Sequence, residues 1–271
     1  MITYITSKLS PVYGPQEAED LAFWILEETT GLSRADISAG KDTQNISNIE
    51  IILTRLLKKE PIQYIFGHTL WFGLDLLVNS DTLIPRPETA ELVEWILNSF
   101  PADKPLSVLD IGTGSGCIAI ALKARRPNWD VTGIDISAPA IELAKQNAIR
   151  NNVRVNFFLA DIFDPTIKSK ISDVKCVVSN PPYVLNSEKS SMESNVLDYE
   201  PHTALFVPDD DPLKFYKQIS ALKIGKFVYF EVNERFAQNV AQLLAENNYD
   251  NIQVKSDIYE KQRMVCGRIK D

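Results

Sequence analysis

VLDIGTGSGCIAIAL, residues 108–122, passes from an apolar run through three closely spaced glycines into a second apolar run. The first run reads as a buried strand and the second as the opening of a helix, CIAIALKARR. Glycines between a strand and a helix let the backbone turn tightly and approach a ligand closely. The dinucleotide fingerprint GxGxxG needs its third glycine at position 117, where this chain has Cys117; Gly116 comes one residue early. The spacing fits a loop for S-adenosylmethionine better than one for NAD or FAD.

The same alternation continues on the C-terminal side. WDVTGIDI is followed by PAIELAKQNAIR, then VNFFLAD, KCVVSNPPY, KFVYFEVN with RFAQNVAQLLAENN, and finally NIQVKSDI with QRMVCGRI. Strand–helix alternation predicts an α/β fold with a doubly wound, Rossmann-like, mostly parallel sheet. The last two runs lie only a few residues apart, so an antiparallel hairpin is expected at the sheet edge. Segment 184–212 is long, polar and without periodicity, which reads as a functional or mobile loop.

On the N-terminal side, residues 1–66 read as a small all-helical domain. GPQEAEDLAFWILEETTGL puts Ala18, Leu21, Ala22, Ile25 and Leu26 on one face and stops near Gly31, and a second helix is expected from Ser47 to Lys59. Residues 67–84 alternate like a short hairpin, and PRPET (85–89) breaks the chain before the helix AELVEWILNSF. The expected division is 1–66 helical, 67–90 hairpin and linker, and 91–271 the sheet domain.

Three further signals fall at strand ends, where open α/β sheets bind ligands. Asp135 ends VTGID and suits both hydroxyls of a ribose, although an aspartate there also serves as a helix cap. Asp161 ends VNFFLAD beside Ile162 and Phe163, a polar acceptor next to apolar side chains that suits an adenine ring; alone it equally reads as a turn residue. Asn180-Pro181-Pro182-Tyr183 ends the apolar run VKCVVS. Two prolines stop a strand abruptly and stiffen the backbone at that end. An amide or exocyclic aromatic nitrogen has a delocalised lone pair and is a poor nucleophile. Two acceptors fixed on its hydrogens, the Asn180 side-chain oxygen and the Pro181 carbonyl, favour a pyramidal nitrogen with its lone pair toward a methyl donor. Tyr183 suits stacking on the planar target.

Composition narrows the field. Among 271 residues the formal charge is −8 and 45% are hydrophobic, which permits a full core and argues against charge-driven nucleic-acid binding. Cys117, Cys176 and Cys266 form no CxxC pair, and the only histidines are His68 and His202, so neither a zinc site nor a Ser-His-Asp triad is expected. The N-terminus lacks the apolar core of a signal peptide, and no run reaches the length that spans a bilayer. A cytoplasmic monomer without metal or membrane partner is the expectation.

The combination resembles the S-adenosylmethionine-dependent methyltransferases that modify amino nitrogens, marked by [DNS]PP[YFW]. Within them it is most similar to the HemK family of glutamine methyltransferases acting on peptide chain release factors. EPIQYIFG (60–67), LIPRPET (83–89), VLDIGTGSGCIAIAL, VSNPPY (178–183) and YEPHTALF (199–206) carry the resemblance across nearly the whole chain. It implies cofactor contacts at Gly112, Thr113, Gly114, Ser115, Gly116, Asp135, Ile162 and Asn180. It implies recognition of the glutamine by Asn180, Pro181, Pro182 and Tyr183, with Asn180, Pro181 and Tyr183 catalytic. The implied product is S-adenosylhomocysteine, and the implied partner of the helical domain is a release factor. One departure is Ala90, where the family usually carries an acid after RPET, with Glu91 the candidate substitute. Arg86 and Glu88 suit either the mouth of the site or an interdomain ion pair, and Glu231 is a weaker candidate at the same sheet edge. The rivals are a ribosomal-protein glutamine methyltransferase, an adenine or guanine amino-methyltransferase of DNA or RNA, and a non-catalytic binding protein on the same fold.

Overall fold

Glycine and proline cut the N-terminal region into short helices: α1 (Ile2–Tyr13), α2 (Pro15–Thr30), α3 (Arg34–Ser38), α4 (Ile49–Leu57) and α5 (Ile62–Phe66). Gly31 closes α2 in the left-handed conformation at φ 70°, and Ser33 caps α3 in a capping box with Asp36. The computed structural model describes residues 1–41, 48–171 and 173–270. The helix expected from Ser47 begins at Ile49 among them; Ser47 itself lies outside the described residues. Helix α1 was not singled out in the sequence, because Pro11 sits inside its last turn and masks the helical pattern. By contacts, residues 1–67 form one unit together with 193–199, and residues 68–192 with 200–271 form the other. The first buries Ile5, Leu9, Ala22, Ile25, Leu26 and Leu56. Arg55 closes its last turn, donating from Nε to Glu60 at 2.8 Å and from the guanidinium to the carbonyls of Tyr64 and Ile65.

The second unit opens with the antiparallel hairpin β1 (His68–Trp71) and β2 (Leu74–Leu77). Then come α6 (Pro87–Ser99), β3 (Ser107–Ile111), α7 (Cys117–Arg125), β4 (Asp130–Asp135), α8 (Ala138–Arg150), β5 (Asn156–Leu159), α9 (Ile167–Lys170) and β6 (Cys176–Ser179). After β6 the chain forms β7 (Val184–Leu185), α10 (Ser194–Leu197), which packs with the first unit, α11 (His202–Leu205) and β8 (Phe206–Val207). It ends with α12 (Lys214–Leu222), β9 (Phe227–Glu231), α13 (Ala237–Glu246), β10 (Tyr249–Ser256) and β11 (Gln262–Ile269). The seven-stranded order is β10-β11-β9-β6-β3-β4-β5, parallel except for β11, which is antiparallel to both β9 and β10. This is the doubly wound sheet with an antiparallel edge hairpin that the alternation predicted.

The middle of the sheet is covered on both faces, which is why β6 (CVVS) and β9 (FVYFE) are buried almost throughout, whereas the edge strand β10 alternates buried or half-buried residues with exposed ones. Successive residues face opposite sides: Val108 and Val178 join one cluster with Leu92 and Ile96 of α6, while Leu109 and Val177 join another with Tyr216 of α12 and Val240 of α13. The segment 184–212, expected as a long loop without periodicity, contains short elements of its own. A two-residue parallel pair, β7 with β8, ties its ends together, and the Ser187 amide donates to Asp209 at 3.0 Å. Elements two to six residues long are too short to print a period in the sequence. Among the described residues no helix is long and apolar enough to cross a membrane.

Candidate active site

The strand order reverses between β3 and β6, so their carboxyl ends flank a crevice of the kind that binds ligands in open α/β sheets. The glycine loop leaves β3 at one side of it and Asn180 leaves β6 at the other. Asp135 ends β4, and Glu231 ends β9 on the far side of β6.

The glycines of the loop have separate duties. Gly112 and Gly114 hold φ of 71° and 55°, and a Cβ on either would enter open space, so bare backbone is presented outward. Gly116 is a packing position: its Cβ would lie 3.0–3.1 Å from Ile120, Ala144 and Phe157. Thr113 and Ser115 turn their side chains inward. The Thr113 hydroxyl donates to Asp110 at 2.6 Å, and Asn147 of α8 donates to the Ser115 carbonyl at 2.9 Å. These two residues therefore offer a ligand their backbone rather than their side chains. Burial pushes the Asp110 carboxyl up to about 7, with the Thr113 hydrogen bond pulling the other way.

Asp135 accepts the Gly114 amide on one oxygen and the Ser137 amide on the other, both at 2.9 Å. Burial raises its carboxyl above the ordinary value despite those bonds. The Ile136 amide bears on the same carboxylate, so three backbone donors use most, but not all, of its acceptor capacity. Ser137, not Asp135, caps α8 by accepting the Ala140 amide. Ile136, next in sequence, is 66% exposed, an apolar side chain beside the carboxylate that the sequence reading did not single out. Asp161 accepts the Phe163 amide at 2.8 Å, the turn role, while buried Ile162 is fixed by Gln218, which donates to its carbonyl at 2.9 Å.

Asn180 is half-buried, and its Nδ2 donates to Thr89 Oγ1 at 3.2 Å. Thr89, the last residue of PRPET, stands in the first turn of α6 and donates to Glu231 Oε2 at 2.7 Å. Tyr183 donates to Glu231 Oε1 at 3.1 Å, and its partly buried ring packs against the core. Glu231 is 1% exposed, so burial raises its carboxyl, with the two hydroxyl donors opposing that shift. The weaker sequence candidate Glu231 is thus joined to Asn180 and Tyr183. Thr89 had no individual role in the sequence reading; its only signal was its place at the end of the proline motif. Pro181 is buried and Pro182 half-buried.

Neighbouring motif residues hold the frame. Arg86 donates to Glu200 at 2.6 Å, and Glu200 also accepts the Ile84 amide; both residues belong to the second unit. Trp71 donates to the Arg86 carbonyl at 2.8 Å. His68 pairs with Asp75 at 2.8 Å, and the His202 ring meets Phe206 edge-on. Among the described residues no group of three His, Cys, Asp or Glu could hold a metal.

Comparison with known proteins places this geometry. Residues 1–67 match the model of the PrmC N-terminal domain, and residues 92–198 that of the methyltransferase small domain. The release factor glutamine methyltransferases of Flavobacterium psychrophilum and Bacteroides thetaiotaomicron are each 41% identical to the chain; each match covers 97% of it and 96% and 97% of the relative. The chain belongs to the release factor glutamine methyltransferase family. The fold is also that of solved methyltransferases: the hMettl16 catalytic domain in complex with the MAT2A 3′UTR hairpin 1 matches at TM-score 0.59 and 14% identity, covering 83% of this chain and 92% of that one.

In this methyltransferase the position after RPET faces apolar surroundings. Ala90 packs against the main core cluster. Glu91 does not take over for a missing acid beside Asn180, because its carboxylate accepts the Ile258 amide at the tip of the β10–β11 hairpin.

Proposed function

We propose that the chain transfers a methyl group from S-adenosylmethionine to the side-chain amide nitrogen of a glutamine in a peptide chain release factor, giving N5-methylglutamine and S-adenosylhomocysteine. The observation that carries this reading is the 41% identity to release factor glutamine methyltransferases along nearly the whole chain. It favours glutamine over a nucleobase and a release factor over a ribosomal protein.

The loop at 112–116, Asp135, Ile136 and Ile162 would hold the methyl donor. Open space in front of Gly112 and Gly114, a carboxylate with free lone pairs and an exposed apolar side chain suit a ligand with an amino-acid end, a ribose and a flat base. When bound, S-adenosylmethionine supplies an electrophilic methyl on a sulfonium. Asn180 Oδ1, left without a donor by the side-chain contacts around it, and the Pro181 carbonyl accept the two amide hydrogens of glutamine. Holding those hydrogens out of the amide plane frees the nitrogen lone pair for attack. Once methylated, the nitrogen is cationic and sheds its extra proton to solvent, so no strong base is required. The helical unit, 1–67 with 193–199, serves to grip the protein substrate.

The test is incubation with methyl-labelled S-adenosylmethionine and, in parallel, release factor, ribosomal protein, DNA and RNA. Label on one glutamine of the release factor, located by peptide mass spectrometry, is the expected result. Label confined to nucleic acid or ribosomal protein would overturn the reading.

A further inference from the structure

The Asn180–Thr89–Glu231–Tyr183 chain has a direction. Glu231 is buried and both its oxygens receive hydroxyl protons, one from Thr89 and one from Tyr183. Its backbone carbonyl is also occupied, accepting the Tyr216 hydroxyl at 3.0 Å. A hydroxyl has a single proton. Thr89 gives its proton to Glu231, so toward Asn180 it can present only lone pairs. A carboxamide facing lone pairs must turn its NH2 toward them, and Asn180 Nδ2 sits 3.2 Å from Thr89 Oγ1. The Asn180 oxygen is thereby left pointing away from this network. Were the Thr89 proton free to turn, either end of the carboxamide would satisfy it and half of the orientations would offer the substrate an NH2. Around Glu231, Arg263 of β11 favours the ionised, accepting form, and burial with Glu88 of α6 opposes it.

We propose that Thr89 and Glu231 are positioning residues that fix the Asn180 carboxamide with its oxygen toward the substrate amide, by passing hydrogen-bond polarity from a buried carboxylate through one hydroxyl. The inference rests on the methyl-transfer reading above, and it assigns a job to the last residue of PRPET and to the end of β9. Neither residue touches the reacting nitrogen. Their effect belongs in kcat, not in assembly of the cofactor site, because a carboxamide with its NH2 turned to the substrate repels the amide hydrogens it should accept.

The experiment compares Thr89→Ser, Thr89→Val and Glu231→Gln with the unaltered enzyme on a release factor substrate, measuring kcat, KM, cofactor Kd by calorimetry and melting temperature. Thr89→Ser keeps the hydroxyl and is expected to hold kcat within about threefold. Thr89→Val keeps the shape but removes the relay, and kcat is expected to fall on the order of 10²-fold, with cofactor Kd within about threefold. Glu231→Gln keeps the shape but adds an NH2 able to donate to Thr89, and kcat is expected to fall at least about fivefold; this variant decides the matter if Thr89→Val does not fold. A folded Thr89→Val or Glu231→Gln with unchanged kcat, or a folded Thr89→Ser that loses kcat as the valine does, overturns the relay. A fall in melting temperature accompanied by equal weakening of cofactor binding and KM marks a merely structural role and also overturns it. An unaltered enzyme that does not methylate release factor sinks the functional reading instead, so the two failures are told apart.

Discussion

Asn180 is held from one side only. Its NH2 is committed to Thr89 at 3.2 Å, and under the proposed reading its oxygen accepts from the substrate amide. Replacing it with alanine should leave cofactor affinity within a few fold while turnover falls by about 10²–10³-fold, the usual loss for one preorganised transition-state contact. Unchanged turnover on release factor would remove Asn180 from the activation of the amide. Asp135 works differently, since it accepts the Gly114 and Ser137 amides and under the proposed reading turns its remaining acceptor capacity to a ribose. Asp135→Ala should weaken cofactor binding by about 10–100-fold, the equivalent of one or two charge-assisted hydrogen bonds. Calorimetry showing no loss would strip it of the ribose role. At this scale the sequence was informative about residue types at strand ends and silent about partners. Thr89 is 91 residues from Asn180 and Glu231 is 142 from Thr89, so no local pattern could show that they meet.

Elements place these residues through close packing under the glycine loop. Gly133 in β4 is one such point: a Cβ there would lie 2.5 Å from the Phe157 ring and 2.8 Å from Thr113 Oγ1. Gly133→Ala should therefore destabilise the protein by about 1–3 kcal/mol, visible as an earlier unfolding midpoint in denaturant and partly relieved by Phe157→Leu. An unshifted midpoint would mean that Phe157 moves aside freely. The strand–glycine–helix unit of β3 and α7 was legible because apolar runs and turn residues are local signals. Helix α1, with Pro11 in its last turn, and the nine-residue α12, which makes the crossover between β6 and β9, were not. The hairpin β1–β2 was legible as a hairpin. Its attachment was not: buried Asn147 of α8 binds both the amide and the carbonyl of Leu77, which no sequence pattern announced.

Over the whole molecule, charge and burial set how stability responds to pH. Asp110 lies fully buried at the centre of the sheet, its carboxyl pushed up from 3.8 to about 7. The folded state thus holds this proton more tightly than the unfolded chain. Its contribution to stability is most favourable below about pH 4, declines as the pH rises toward about 7, and stands as a full cost above that. Asparagine cannot ionise, so the melting temperature of Asp110→Asn minus that of the unaltered protein should rise between about pH 5 and about pH 8. A difference that stays constant across that range would show that Asp110 does not titrate there. The net charge of −8 is a whole-chain property of another kind, one that disfavours broad contact with polyphosphates without touching the fold.

The sequence by itself determined the strand–helix alternation of the sheet domain in outline, the glycine loop and the proline-stiffened tetrad, because each is written in residues that are neighbours along the chain. The release factor family was legible too, through motifs spread over its whole length. Tertiary structure alone decided which motif residues turn into the protein and which meet each other. Thr113 and Ser115 turn inward, Ala90 joins the core, Arg86 pairs with Glu200, and Thr89 meets Asn180 and Glu231. The reason is that a hydrogen bond depends on where its donor and acceptor stand in space. Only the parallel pairing of β6 with β9, and the approach of α6 to their ends, brings that donor and those acceptors together.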